Sequence, residues 1–133
     1  KELRCAMEPG RGPLLPHLAT AVLGAREADK VILDGVYNDV RDPDGFLVEA
    51  HQGAAMGFDG KTLVHPSQVE PTNEVWAPSA DEVDHSRRVI EAFEAAEAEG
   101  RGVITVDGRM IENLHVDNAR RVLAVADAIA ALG

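Results

Sequence analysis

Three side chains stand where chemistry could be done. Asp34 lies inside the apolar run "VILDGVY", His65 follows "KTLV" immediately before Pro66, and Glu112 closes the segment "VITVDGRMIE". An unpaired carboxylate inside an apolar strand is costly, so Asp34 must sit at a strand end or have a partner. Two roles are open to it: accepting hydrogen bonds from the loop that follows, or taking part in a site. His65 ends a short strand pattern, and ligands of parallel α/β folds gather at that edge. A carboxylate just after a hairpin, as at Glu112, is by itself ordinarily a solvated turn residue. The chain has no Gly-rich phosphate loop, no paired Cys motif and no Gly-x-Ser-x-Gly elbow. Its histidines, at positions 17, 51, 65, 85 and 115, fall into no metal-ligand spacing. Isolated helical ones such as His51 and His85 are expected as exposed polar positions.

The elements that must position these groups follow from apolar spacing and turn chemistry. Over residues 14–28 the Leu, Ala and Val spacing predicts a helix, with Pro13 and Pro16 tolerable only in its first turn. "KVILDGVY" predicts a strand covered on both faces, as in a parallel sheet. "NDVRDPDGF" is loop chemistry, and Phe46, Val48, Ala50, Ala54 and Met56 predict a short helix stopping near Gly57. "KTLVHP" predicts a second strand, with Pro66 suited to the first position of the next helix. Helix and strand in alternation, with crossovers of this length, point to parallel βαβ units. After about residue 77 the pattern changes. Ser79 and Glu82 have capping-box spacing and open a long amphipathic helix ended by Gly100 and Gly102. Asp107-Gly108 predicts a two-residue hairpin inside "VITVDGRMI", and a last helix is expected from Val116 to Leu132. Two parallel strands make a poor sheet by themselves, so residues 1–77 need partner strands from outside this sequence.

Composition excludes several classes. Thirteen basic residues against 23 acidic ones give a formal charge of -10, so the surface as a whole repels a nucleic-acid backbone and nucleic acid is not an expected partner. Cys5 is the single cysteine, which rules out an intrachain disulfide. No apolar run approaches the roughly 18 residues of a membrane span, and the first residues lack signal-peptide order. A soluble cytoplasmic protein with no membrane partner is expected. At 133 residues the chain is far shorter than a (β/α)8 barrel of about 250 residues. The opening "KELRCAMEPGRGP" is expected to continue something upstream.

"LDGVYNDVRDPDGF", "GFDGKTLVHPSQVEPTNEVWAPSADEV" and "GRGVITVDGRMIENLHVDNARRVLA", in this order, resemble the C-terminal half of the citrate lyase β-subunit and malyl-CoA lyase family, of the HpcH/HpaI aldolase type. The resemblance runs essentially from end to end. It implies an α/β fold in which residues 1–77 are the C-terminal part of a TIM (β/α)8 barrel and residues 78–133 a small helix-hairpin-helix lid. It implies a Mg2+-dependent carbon-carbon lyase of 3-hydroxyacyl-CoA esters, with a CoA ester and a small oxoacid as ligands and a homo-oligomer whose lid serves a neighbouring subunit. The family's magnesium ligands would all lie before Lys1, so no acid of this chain is assigned to the metal. By resemblance Val64 and His65 line the substrate pocket and hold the thioester end; Asp34, singled out by its place in the apolar strand, joins them in the expected substrate-binding set. Glu112 stands where the family has Asp in a "Met-Ile-Asp" setting and becomes the catalytic acid-base group. A silent assembly or binding subunit that completes another chain is the second reading. An ordinary small α/β domain without CoA chemistry is the third.

Overall fold

The computed structural model describes residues 11–100 and 103–132; the opening segment with Cys5, and Gly102 at the end of the expected long helix, lie outside them. The chain divides into two compact units, Lys1–Trp76 and Ala77–Gly133.

In the first unit a 3-10 turn, Gly12–Leu14, leads into α1 (Leu15–Glu27), and Pro13 and Pro16 occupy first-turn positions where their missing N–H is not needed. β1 (Leu33–Asp34), α2 (Pro43–Met56), β2 (Gly60–Lys61), a second 3-10 turn (Pro66–Gln68) and α3 (Val69–Trp76) follow. β1 and β2 pair in parallel, Leu33 with Gly60 and Asp34 with Lys61, and α2 is the crossover between them. Asp59 N–H to Ile32 O (2.9 Å) and Thr62 N–H to Asp34 O (3.0 Å) extend this ladder at either end. The Arg26 guanidinium, at the end of α1, grips both oxygens of Asp59 at 2.8 and 2.9 Å and ties that helix to the start of β2.

Several expectations change here. The strands are shorter than their sequence patterns, and β2 stops at Lys61, so Val64 and His65 lie in the segment beyond it. The sheet is not covered on both faces, since Val31 and Leu33 are 76% and 56% exposed. A closed barrel is not seen among the described residues, which form a mostly helical α/β fold with one parallel strand pair and one antiparallel pair. The cause is common to all three: a parallel strand persists only where neighbours receive its hydrogen bonds, and β1 and β2 have each other alone among the described residues. α2, in turn, begins earlier than expected and absorbs part of "NDVRDPDGF". Asp42 caps it, with Oδ1 accepting from Gly45 N–H (2.9 Å), and Pro43 takes its first turn.

The second unit contains α4 (Ala80–Ala98), β3 (Ile104–Val106), β4 (Arg109–Ile111) and α5 (Asn113–Leu132). Ser79 and Glu82 form the reciprocal capping box. Asp107 and Gly108 both take positive φ, 51° and 75°, as the tight hairpin turn requires. Val89, Val106, Val116 and Ala119 make the core between the helices and the hairpin, flanked by Phe93 and Ile111. Arg88 (3.1 Å) and His85 (3.3 Å) hold Asp107 and fix the turn to α4.

One glycine shows how tightly the first unit is built. A Cβ on Gly53 of α2 would lie 2.6 Å from Asp34 Oδ2, whereas one on Gly24 of α1 would meet nothing within 4 Å. Ala in a helix normally adds about 0.5–1 kcal/mol over Gly, and Gly24→Ala is expected to show that gain. Gly53→Ala is expected to lose about 1–3 kcal/mol instead, because the carboxylate it meets cannot yield. Urea unfolding of both variants in the full-length protein checks the opposite signs.

Candidate functional site

Asp34 ends β1 with its side chain turned towards α2. Oδ1 accepts from Arg11 Nη1 (2.7 Å) and from Gly35 N–H (2.8 Å), and Oδ2 accepts from Lys61 Nζ (3.1 Å). The side chains of Asp34 and Lys61 are fully buried. Lys61 Nζ also reaches Glu49 Oε1 (2.7 Å), and Arg11 Nε donates to Gln52 Oε1 (2.9 Å). Two cations thus meet two carboxylates, and the cluster is formally neutral. Burial pushes the Asp34 carboxyl up, but hydrogen bonds from Arg11, Lys61 and Gly35, with the charge of Lys61, outweigh it and hold the group below the usual carboxylate range. Of the two roles open to Asp34, the geometry supplies the structural one. The carboxylate faces Arg11 and Lys61 inside the unit and has no side-chain surface exposed.

The polar groups at the strand ends are carried by the loops that follow. Val64 N–H donates to Gln68 Oε1 (3.1 Å), and Gln68 Nε2 donates to Tyr37 O (3.0 Å). Tyr37 Oη–H donates to Asp42 Oδ2 (2.6 Å), and that bond, with burial, pushes the phenol up to about 12. His65 caps the 3-10 turn: Nδ1 accepts from Ser67 N–H (3.2 Å), with Ser67 Oγ at 2.8 Å. An imidazole accepting at Nδ1 carries its proton on Nε2 when neutral, so Nε2–H is the donor left for a ligand. His65 is exposed.

Glu112 belongs to the second unit, at the corner between β4 and α5. Its N–H donates to His115 Nδ1 (2.9 Å) and its carbonyl accepts from His115 N–H (2.9 Å), so the corner is closed on both sides. The side chain is exposed, and its carboxylate has no hydrogen-bond or salt-bridge partner among the described residues. It borders an open depression of about 370 Å³ lined by Phe93, Val103, Met110 and Ile111. Asp34, Val64 and His65 therefore share one unit, while Glu112 stands in the other. Arg11, Glu49, Lys61 and Gln68 escaped sequence reasoning. The cost of burying Asp34 demanded a partner, yet its partners lie 23 and 27 positions away and carry no local mark.

Among the described residues no three His, Cys, Asp or Glu side chains come together to hold a metal ion, and no helix is long and apolar enough to cross a membrane. Asp34 and Glu49 are already neutralised by Arg11 and Lys61. The described residues therefore do not offer a magnesium site.

Polar loops beyond the ends of a parallel βαβ pair are where α/β proteins take small ligands. The HpcH/HpaI aldolase/citrate lyase model matches residues 2–66. Over all 133 residues the chain is 50% identical to a (3S)-malyl-CoA thioesterase of Cereibacter sphaeroides, of which it spans 47%. It is 40% identical to citrate lyase subunit beta of Escherichia coli K12 over 127 residues, 96% of this chain and 42% of the relative. The crystal structure of CitE from Mycobacterium tuberculosis in complex with magnesium, acetoacetate and coenzyme A matches with a TM-score of 0.68 at 28% identity, covering 92% of this chain and 46% of that one. The chain belongs to the HpcH/HpaI aldolase/citrate lyase family and spans about half the length of the curated relatives it matches.

The lowered Asp34 carboxyl fixes the sign of an acid effect. Its folded value lies below its unfolded one, so its contribution is complete at neutral pH and fades as pH falls below about 4. The stability difference between wild type and Asp34→Asn is expected to shrink over that range. Asp34→Ala, which leaves two buried cations short of a partner, is expected to cost about 3–5 kcal/mol at neutral pH. Chemical denaturation of the full-length protein at a series of pH values measures both.

Proposed function

We propose that this chain is the C-terminal half of a cytoplasmic, magnesium-dependent carbon-carbon lyase acting on 3-hydroxyacyl-CoA esters of the malyl-CoA or citryl-CoA type. In the reverse direction it joins acetyl-CoA to a small oxoacid. Residues 1–77 supply the closing part of a (β/α)8 barrel and residues 78–133 the lid, in a homo-oligomer whose lid serves a neighbouring subunit. The observation that carries this reading is similarity over 100% and 96% of the chain, at 50% and 40% identity, to enzymes named for malyl-CoA and citrate chemistry. The bound ligands of the CitE relative, magnesium and coenzyme A, support it further.

The division of labour follows from the groups present. Magnesium, for which the family's ligands would lie before Lys1, would supply charge that polarises the oxyacid. His65 Nε2–H and the neighbouring backbone hold the thioester end, where a donor is most useful as enolate charge develops on oxygen. Asp34 acts from behind, by holding the strand end from which this loop departs. In cleavage the Glu112 carboxylate takes the proton of the 3-hydroxyl. The bond between C2 and C3 breaks, its electron pair passes into the thioester enolate, and a proton returned to that carbon gives acetyl-CoA. Glu is one methylene longer than the family's Asp, and such sites respond to shifts of about 1 Å.

Hydrolysis of the same thioester is a second reading, favoured by the thioesterase name of the relative that is 50% identical. The full-length protein, assayed with magnesium and malyl-CoA, separates the two. Acetyl-CoA and glyoxylate appearing together support the lyase, whereas malate with free coenzyme A thiol supports hydrolysis. Neither product, across a panel of 3-hydroxyacyl-CoA esters, rejects both and leaves the silent assembly subunit. Glu112→Gln is expected to lower kcat about 100-fold or more with little change in KM. Steady-state kinetics check this, and an unaffected kcat removes Glu112 from the mechanism.

A further inference from the structure

β1 and β2 are two residues long, and the last hydrogen bond of their ladder is Thr62 N–H to Asp34 O. Beyond it the Tyr37 and Val64-His65 segments are no longer paired as strands. Among the described residues they are joined through one side chain, that of Gln68, which is 4% exposed. Its amide accepts from Val64 N–H at 3.1 Å and donates to Tyr37 O at 3.0 Å. No other side chain of this length does both: Glu accepts without donating, Lys donates without accepting, and Met does neither.

Both ends of this bridge are anchored. Gln68 N–H donates to His65 O (3.1 Å), and Thr72 Oγ1 donates to Gln68 O (2.7 Å), so the backbone carrying the amide is fixed from two sides. Tyr37 is held in turn by Asp42, the residue that caps α2. The Val64 N–H is consumed by the bridge, so His65 is left to present its free Nε2 from a loop whose position Gln68 sets.

We infer that Gln68 is a positioning residue that fixes the Val64-His65 segment against the Tyr37 loop and thereby sets the thioester end of the site. This deepens the proposed CoA-ester activity and rests on it. The loss of two part-buried hydrogen bonds at a loop proposed to hold the ligand is expected to appear as weaker ester binding.

The test uses the full-length protein with Gln68→Met, Gln68→Glu and, as a comparator in α3, the helix that follows, Trp76→Phe, which removes the 2.8 Å bond from Trp76 Nε1 to Phe58 O. KM and kcat for malyl-CoA, thermal midpoint and amide exchange at Val64 are measured for each. Gln68→Met is expected to raise KM about tenfold and to speed Val64 exchange. Gln68→Glu is expected to keep Val64 protected while still raising KM, and Trp76→Phe to lower the midpoint with KM unchanged. A KM within about twofold of wild type for Gln68→Met overturns the inference. So does a rise in KM for Trp76→Phe that matches its loss of stability, since the effect is then structural. If the wild type turns over no CoA ester, the proposed activity fails, and Val64 exchange alone decides the bridge. Unchanged exchange in Gln68→Met then overturns it, and faster exchange supports it.

Discussion

A carboxylate buried between two cations governs the first unit. Asp34 and Lys61 are register partners on adjacent strands, so their pairing fixes which residue of β1 faces which residue of β2. A parallel ladder this short has little strength of its own. The ion pair supplies the registration that a longer sheet would otherwise provide. Arg11 and Glu49 complete the neutral set and bring the entry to α1 and the middle of α2 to the same point. Gly53 follows from this constraint, because α2 passes too close to the Asp34 carboxylate for a side chain.

Function builds outward from that buried anchor. The strands end where the ion cluster ends, and under the proposed function the loops beyond them carry the ligand-binding groups. Those loops are held by neutral hydrogen bonds: the Gln68 amide, the Tyr37 phenol on Asp42, and the Ser67 contacts that leave His65 with its proton on Nε2. The chain separates two kinds of carboxylate by environment. Asp34 is buried and doubly paired, while Glu112 is exposed, unpartnered among the described residues and mounted on a corner that His115 closes. The first setting suits a carboxylate that holds strands together, and the second leaves a carboxylate open to solvent.

Local chemistry was legible in the sequence wherever the deciding contacts lie within a few residues. The capping box at Ser79 and Glu82, the Asp107-Gly108 turn, the stop at Gly57 and the alternation of helix and strand all belong to this group. The expense of burying Asp34 was legible too. Its partners were not, because Arg11 and Lys61 become neighbours only through the fold, and a lysine at the start of a strand pattern is ordinarily solvated. The strand lengths were overestimated because a β-branched run states a propensity, whereas a parallel strand also needs neighbours. The early start of α2 could have been read from Asp42-Pro43, a capping residue followed by a first-turn proline. His65 and Glu112 stood out by their places after a strand pattern and a hairpin, whereas Val64 and the roles proposed for all three came from family resemblance.

The central claim is that the segment after β2 receives a CoA ester. Hydrogen exchange of the full-length protein, with and without coenzyme A and magnesium, tests it directly. The account predicts slower exchange across residues 62–68 when coenzyme A is bound. Protection elsewhere in the protein, with residues 62–68 exchanging at an unchanged rate, would contradict it.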